Sequence, residues 1–552
     1  MRCTPLLLGA LIPGVFGFEL PFGVSRLFSS KTAAQTGNGN KPAATTTSRI
    51  AIIGAGAGGS SAAFWIAKAK ERFGIDVEVD VYERSDYIGG RTTVVHPYNN
   101  KSLPALELGA SIFVKAHKHL WRAADDFNLT RRSFNENDYD TGIWNGEQIF
   151  LQFGGSWWDT AKLLWRYGLF APKRTEEIVR GMMSQFLGLY KTSTLKWDSM
   201  LDLPPYFGWQ EHLNITAREF FKGRGVGERY INEVIQAATR VNYGQNINYI
   251  NGLGGAVCMA GMGATGIKGG NYLIFAKFLE YSKAKLHLKT TVKSINPTSS
   301  GTYNLKSTRG TTEYKAIILA APYHQSQISL PPGLSSQIPK HPYVNLHVTI
   351  LTTTSPDLNP AYFGLSKGSK VPKVLLTARE GVDLGNPNTP KPEFTSITYH
   401  GLVQENEWSV KIFSDDRLSD EWLDNMFQGQ VTWVHRKEWQ AYPTLPPQVP
   451  LPPVKLDKGI YYVNSFEPYV SFISTMDTET LSARNIVDLL LNDHFDSGIC
   501  GPTAKTTPPS INEASSAQQP LIERIEASHI SNSTTRKSRN VDDEDFVYGF
   551  DC

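Results

Sequence analysis

The chain predicts an α/β protein in which a Rossmann-like dinucleotide-binding domain is joined to a second, α+β domain. Three observations lead there. A strand, a glycine-rich turn, a helix, a second strand and an acidic residue follow one another between residues 49 and 83. Short apolar strands return near residues 285, 314 and 459, as they must if one parallel sheet is assembled from distant pieces of chain. And 552 residues, 41% hydrophobic and 19% charged, can bury a core large enough for more than one domain.

The ends of the chain set the context. MRCTPLLLGALIPGVFG places one cation, Arg2, before a short apolar stretch and small residues near Gly17. That pattern predicts a secretory signal peptide over residues 1–17. The stretch is too short to span a bilayer, and no other window offers about 18 uninterrupted apolar residues, so no transmembrane helix is expected. Residues 29–48 are small and polar, and residues 18–48 are read as a flexible lead-in; residues 496–552 read as a disordered tail. Four glycosylation sequons, at Asn100, Asn128, Asn214 and Asn532, suit a secretory route to a lysosome, a vacuole or the outside. Loss of the leader removes Cys3 and leaves Cys258, Cys500 and Cys552. At least one of these must then be unpaired or bound to another molecule. Lys and Arg number 55 against 52 Asp and Glu, with no basic run, which argues against a nucleic-acid partner. No CxxC or HExxH points to a metal.

Arg49–Ile53 is an apolar run suited to a buried parallel strand. Gly54-Ala-Gly56-Ala-Gly-Gly59 follows at once, then a helix with Ala63, Ile66 and Ala67 on one face. Val77–Tyr82 alternates as a strand and Glu83 ends it. Gly54 permits the tight turn, Gly56 lets backbone approach a pyrophosphate, and Gly59 lets helix and strand pack closely. The helix N-terminus offers unpaired N–H groups to phosphate, and Glu83 can accept from ribose hydroxyls.

Arg84-Ser-Asp-Tyr-Ile-Gly89-Gly90-Arg91 then resembles the E-x5-GG-R signature of flavoproteins of the glutathione-reductase and amine-oxidase type. Glu107-Leu-Gly109-Ala110-Ser111 resembles the segment that passes the flavin ring in that superfamily. Gly269–Leu273 opens a helix, and Lys285–Ile295 resembles the strand whose Val292 backbone holds the adenine. Tyr314–Pro322 resembles a further strand of the pattern, with Lys315 where Asp is usual. Gly459–Glu467 and the helix from Glu479 resemble the closing elements beside the flavin, with Glu467 at the end of the loop. The resemblance implies FAD, held by Gly54, Gly56, Gly59, Glu83, Arg84, Gly90, Arg91, Gly109, Ala110, Ser111, Val292 and Glu467. It divides the chain into an FAD-binding domain of residues 49–115, 251–322 and 456–495, and a substrate domain of residues 116–250 and 323–455.

Arg240-Val-Asn242-Tyr243-Gly-Gln245-Asn246, followed by Gly254-Gly-Ala-Val257 and Gly269-Gly-Asn271, resembles the prenylcysteine oxidase (prenylcysteine lyase) family. Lys268 and Cys258 stand where that family usually has Glu and Ser. The family implies oxidation of the thioether of farnesyl- or geranylgeranyl-cysteine by hydride transfer to flavin. Dioxygen is the acceptor, and cysteine, prenyl aldehyde and hydrogen peroxide are the products. Asn242, Tyr243, Gln245 and Asn246 are then candidates to hold the amino-acid end of the substrate or to line the flavin. His119 is a candidate to order water. The aromatic stretch 144–170 is a candidate channel wall for the prenyl chain, or a surface that touches lipid. An amine-oxidase-like flavoprotein acting on another lipophilic amine or thioether, and a non-catalytic flavin- or lipid-binding protein, are the competing expectations.

Overall fold

The computed structural model describes residues 48–133, 139–191, 196–261, 263–378, 392–468, 475–501 and 545–552. The expected signal peptide, most of the lead-in and Asn532 lie outside the described residues.

Strand β1 (Ser48–Ile53) forms the middle of a six-stranded sheet. Ile50, Ala51 and Ile52 are fully buried, which is why this strand reads as an unbroken apolar run. Helix α1 (Ala57–Phe73) carries the chain over to β2 (Val77–Tyr82), which pairs parallel with β1 and is followed outward by Lys285–His287. On the other side of β1 lie β3 (Ala316–Leu319) and β4 (Ile460–Tyr462), both parallel, and then the antiparallel edge Lys455–Asp457. Strand order therefore reverses at β1. A crevice opens outside the carboxyl ends of β1 and β3, the position at which such sheets bind ligands.

Helix α2 (Thr475–Phe495) packs along α1, with Ser61 and Thr480 hydroxyls 3.0 Å apart and the Trp65 indole donating to the Thr480 carbonyl. Lys315, the departure from the expected Asp, donates to the His494 carbonyl at 3.1 Å. Its cation thus meets the negative end of α2.

A second sheet has seven strands, in the order 431–443, 343–353, 407–414, 396–404, 374–377, 141–144 and 149–153. Thr141–Trp144 pairs parallel with Val374–Thr377, so two distant stretches of chain complete one sheet. One face carries Leu351, Ile397, Val410 and Ile412 into its own core. The other packs Leu346, Val348 and Ile350 onto Leu106 and Leu108, the neighbours of Gly109. That contact sets the second sheet against the glycine loops of the first.

The chain end departs from the expected disordered tail. Residues 545–552 return to the body of the protein, where Phe546, Val547 and Phe550 are buried. Phe550 lies against Phe64 and Trp65, Asp551 pairs with Arg122 at 2.9 Å, and Cys552 is disulfide-bonded to Cys500. The apolar residues of Phe546-Val-Tyr-Gly-Phe550 drive this docking, and the acidic run before them hides that in a composition-based reading. Cys258 is the free cysteine among the described residues, and it is buried. Asn100, Asn128 and Asn214 are exposed. No helix among the described residues is long and apolar enough to cross a membrane.

Candidate functional site

A cleft of about 460 Å³ occupies the crevice. Its floor is the turn from β1 to α1, where Gly54, Gly56, Ala57 and Gly58 line it. The turn holds its shape through the β2 end: the Gly54 N–H donates to the Tyr82 carbonyl, and the Ala55 N–H to Glu83 Oε2 at 2.9 Å. Glu83 Oε1 takes the Ser85 N–H at 2.8 Å. The second glycine loop is stapled to the first, since the Gly89 N–H donates to the Ala55 carbonyl and Gly56 and Gly89 form a parallel bridge.

The glycines differ in what they answer to. A Cβ on Gly59 would come within 1.9 Å of the Gly54 carbonyl oxygen, and one on Gly54, at φ +106°, within 2.5 Å of the Ala320 oxygen. These two are demanded by the protein itself. A Cβ on Gly56 would meet nothing nearer than 3.8 Å, and φ is −79°. The open space beside Gly56 belongs to the cleft, as required of a backbone that lies against a bound pyrophosphate.

Arg91 lines the cleft, donates to the Ala441 carbonyl at 2.7 Å and pairs with the buried Glu467. Burial works against the Arg91 charge, and Glu467 more than restores it. Tyr343 donates to the other Glu467 oxygen. Glu479 also lines the cleft near the start of α1; burial, then repulsion from Glu467, pushes its carboxyl well above the usual range. That upward push weakens the repulsion Glu479 exerts on an anionic ligand. Asn464 lines the same wall, and its buried Oδ1 has no hydrogen-bond partner among the described residues.

Beyond Ala110 the two sheets meet. A Cβ on Gly109 would lie 2.0 Å from the Arg91 oxygen and 2.7 Å from the Trp439 ring. Lys411, buried on strand Glu407–Ser414, donates to Ser111 Oγ at 2.8 Å and to the Gly109 carbonyl at 3.3 Å. Burial pushes Lys411 down, and Glu107 opposes this. Burial pushes Glu107 up, against the Asn271 N–H and the Lys411 charge.

Of the residues expected to hold a dinucleotide, Gly54, Gly56, Glu83, Arg84, Gly90, Arg91, Ala110 and Val292 line the cleft. Gly59 lies beneath the turn, Gly109 and Ser111 flank Ala110, and Glu467 reaches the cleft through Arg91. The residues proposed for catalysis sit elsewhere. His119 is fully buried against Trp65 and Tyr190, and burial, then the Arg484 charge, holds it well below its usual value. Asn242 donates to the Ala238 carbonyl one helical turn back. Tyr243 is buried edge-on to Tyr442, and Gly244 ends the helix in the left-handed conformation. Gln245 bonds the Tyr243 and Pro443 carbonyls and accepts the Leu445 N–H, while Asn246 accepts from Gln236 and Arg240. This motif staples a helix end beneath the strand that feeds Arg91; it does not line the cleft.

The aromatic stretch, expected to be a channel wall or a surface that touches lipid, divides in two. Trp144 and Phe153 are core residues, whereas Trp157, Trp158, Trp165 and Phe170 face outward. Lys411, Trp439, Asn464 and Glu479 escaped the sequence reading. Lys411 lies on a strand where alternation assigns Glu407, Ser409 and Lys411 to the solvent side. In the folded chain all three are buried.

Comparison with known proteins agrees with this geometry. Residues 150–498 match the family model of prenylcysteine lyase, and residues 52–127 match that of an NAD(P)-binding Rossmann-like domain. A farnesylcysteine lyase of Arabidopsis thaliana is 30% identical, over 80% of this chain and 88% of that protein. Prenylcysteine oxidase 1 of Bos taurus is 28% identical, over 76% and 84%. Among solved structures, putrescine oxidase bound to putrescine is 14% identical, covering 80% of this chain and 99% of that one, with a TM-score of 0.53. Cyclohexylamine oxidase from Brevibacterium oxydans is 15% identical, over 80% and 99%, with a TM-score of 0.50.

Proposed function

The chain belongs to the prenylcysteine lyase family, and from that premise we propose that it is an FAD-dependent oxidase of farnesyl- or geranylgeranyl-cysteine. The reaction consumes one dioxygen and one water and releases cysteine, the prenyl aldehyde and hydrogen peroxide. The observation that carries the cofactor assignment is the cleft itself, where Gly56 leaves space the protein does not need.

The residues present fit FAD. Gly56, Ala57 and Gly58, which line the cleft, would present the start of α1 to the pyrophosphate, Glu83 would accept from the ribose, and Val292 would hold the adenine end. Arg91 supplies a cation fixed by Glu467, and the Asn464 oxygen is left to accept from the flavin end. Bound FAD supplies the two-electron acceptor that dioxygen reoxidises. The chain contributes position and exclusion of water. Trp439 closes over Gly109, and Lys411 holds a movable proton beside Ser111. The leader, three exposed sequons and a disulfide between Cys500 and Cys552 support a secretory destination, a lysosome or vacuole or the outside.

The test is anaerobic mixing of the flavin-loaded protein with farnesylcysteine. Loss of flavin absorbance, and peroxide when air is admitted, are expected. A bound flavin that stays oxidised with farnesylcysteine but bleaches with a lipophilic amine would overturn the substrate and keep the fold.

A further inference from the structure

We propose that helix Trp157–Tyr167 and the turn after it dock this protein on an anionic lipid bilayer. Large exposed apolar side chains are scattered singly over the described residues, except here. Six fall between residues 157 and 170: Trp157 at 66%, Trp158 at 60%, Leu164 at 37%, Trp165 at 88%, Leu169 at 56% and Phe170 at 68% exposed. Such a concentration marks an interaction surface.

The geometry makes it one face. Trp157 and Leu164, and Trp158 and Trp165, are each seven residues apart, two turns of helix. The Trp157 and Trp158 rings stack at 3.7 Å. The opposite face is fixed to the protein: Leu163 is buried, and Arg166 and Tyr167 both donate to the buried Glu233. The tryptophans are therefore held outward by a rigid helix. Eleven residues of helix measure about 16 Å, which suits lying in a membrane surface and not crossing it.

Charge selects the occupant. Lys162, Lys173 and Arg174 border the patch and are exposed. The acid on this helix, Asp159, turns toward its N-terminus, where it accepts from Gly154 and Ser156, with Lys162 at 3.6 Å. Lysine is depleted in the cores of protein interfaces, whereas tryptophan beside lysine is the composition that anionic headgroups take. Helix Trp157–Tyr167 follows the edge strand Ile149–Phe153, and the strand bearing Trp439 is at the other edge of the same sheet. Substitutions in the patch therefore leave the cleft intact.

The experiment is cosedimentation of the full, flavin-loaded protein with phosphatidylcholine vesicles, with and without phosphatidylserine. Binding is expected only with phosphatidylserine, weakening as salt rises. The pair Trp158→Ser and Trp165→Ser should weaken it by about tenfold or more. Lys162→Gln and Lys173→Gln should each weaken it about fivefold. Flavin absorbance and turnover of dissolved farnesylcysteine should not change in any of these variants. Equal binding to neutral vesicles, no binding to either, or a dimer that the tryptophan substitutions split would overturn the proposal. Sedimentation is read without turnover, so a failure of prenylcysteine oxidation counts against the activity and not against this surface.

Discussion

Gly54 and Gly59 hold the protein together, and Gly56 holds a place for something else. The sequence pattern treats the three alike; the contacts a side chain would meet separate them. Gly56→Val is expected to give a soluble protein that melts within about 1 kcal/mol of the unliganded parent and comes off the column colourless. Gly59→Val, driven against the Gly54 carbonyl, is expected to accumulate unfolded. Circular dichroism melts beside flavin absorbance check both, and a yellow Gly56→Val protein would contradict the cofactor assignment. At the same scale, Lys411 was illegible because period-two alternation assumes one wet face, and this strand is covered on both. Burial pushes Lys411 down and its neighbour Glu107 up, so the pair holds a proton that it gives up as pH rises. If that proton matters to turnover, the rate of flavin reduction rises as pH passes through the range in which the pair gives it up. Lys411→Met should flatten that rise and slow reduction by about a hundredfold. A variant that keeps the inflection would assign it to another group.

At the scale of elements, the glycine turn, α1 and β2 were legible because their signal is local. The seven-stranded sheet was not, because its strands come from two distant stretches, one ending at Phe153 and the other beginning at Tyr343, and no period links Thr141 to Val374. The Arg240–Asn246 motif was legible as a motif, and its side chains bond within the helix end and to the strand beside it rather than lining the glycine-floored cleft. Gln245→Ala should cost about 1–3 kcal/mol of stability, since it strands the Leu445 N–H, and should leave the flavin spectrum unchanged. A shifted flavin spectrum would return that loop to the site. Helix α2 offers a second case. Asp477 stands in its first turn, where a carboxylate usually gains from the helix dipole. Here burial wins and pushes Asp477 up to about 7, although Tyr190 and the Leu120 N–H both donate to it. A raised acid binds its proton more tightly folded than unfolded. Its contribution to stability is therefore complete below pH 3.8 and is lost as pH rises toward 7. Buried His117 and half-buried His400, pushed down to about 3, act in the opposite sense as pH falls below 6.5. The difference between parent and Asp477→Asn isolates the aspartate: the parent should gain on the variant as pH falls from 7.5 to 5. Parallel melting curves across that range would refute a buried, protonated Asp477.

At the scale of the whole molecule, the last eight residues act as a clasp. Phe550 seals Phe64 and Trp65 on α1, and the Tyr548 hydroxyl donates to Asp488 of α2 at 2.8 Å. Arg72 of α1 donates to the Phe550 carbonyl. The chain end thus bridges the two helices that carry Gly58 and Glu479 into the cleft. The disulfide between Cys500 and Cys552 closes a loop of 52 residues and keeps the clasp at high local concentration. A composition-based reading missed it because eight residues are too few to outweigh the polar stretch before them. Cys552→Ser is expected to lower stability by about 2–4 kcal/mol and to leave the apolar side chains to hold the segment alone. The reduced parent should behave as that variant does. Limited proteolysis should then remove the last residues from the variant and the reduced parent but not from the oxidised protein. Because the clasp spans both helices, its loss should also speed dissociation of flavin, read as absorbance lost on dialysis. Equal melting of parent and Cys552→Ser would mean that Phe546, Val547 and Phe550 suffice without the covalent bond.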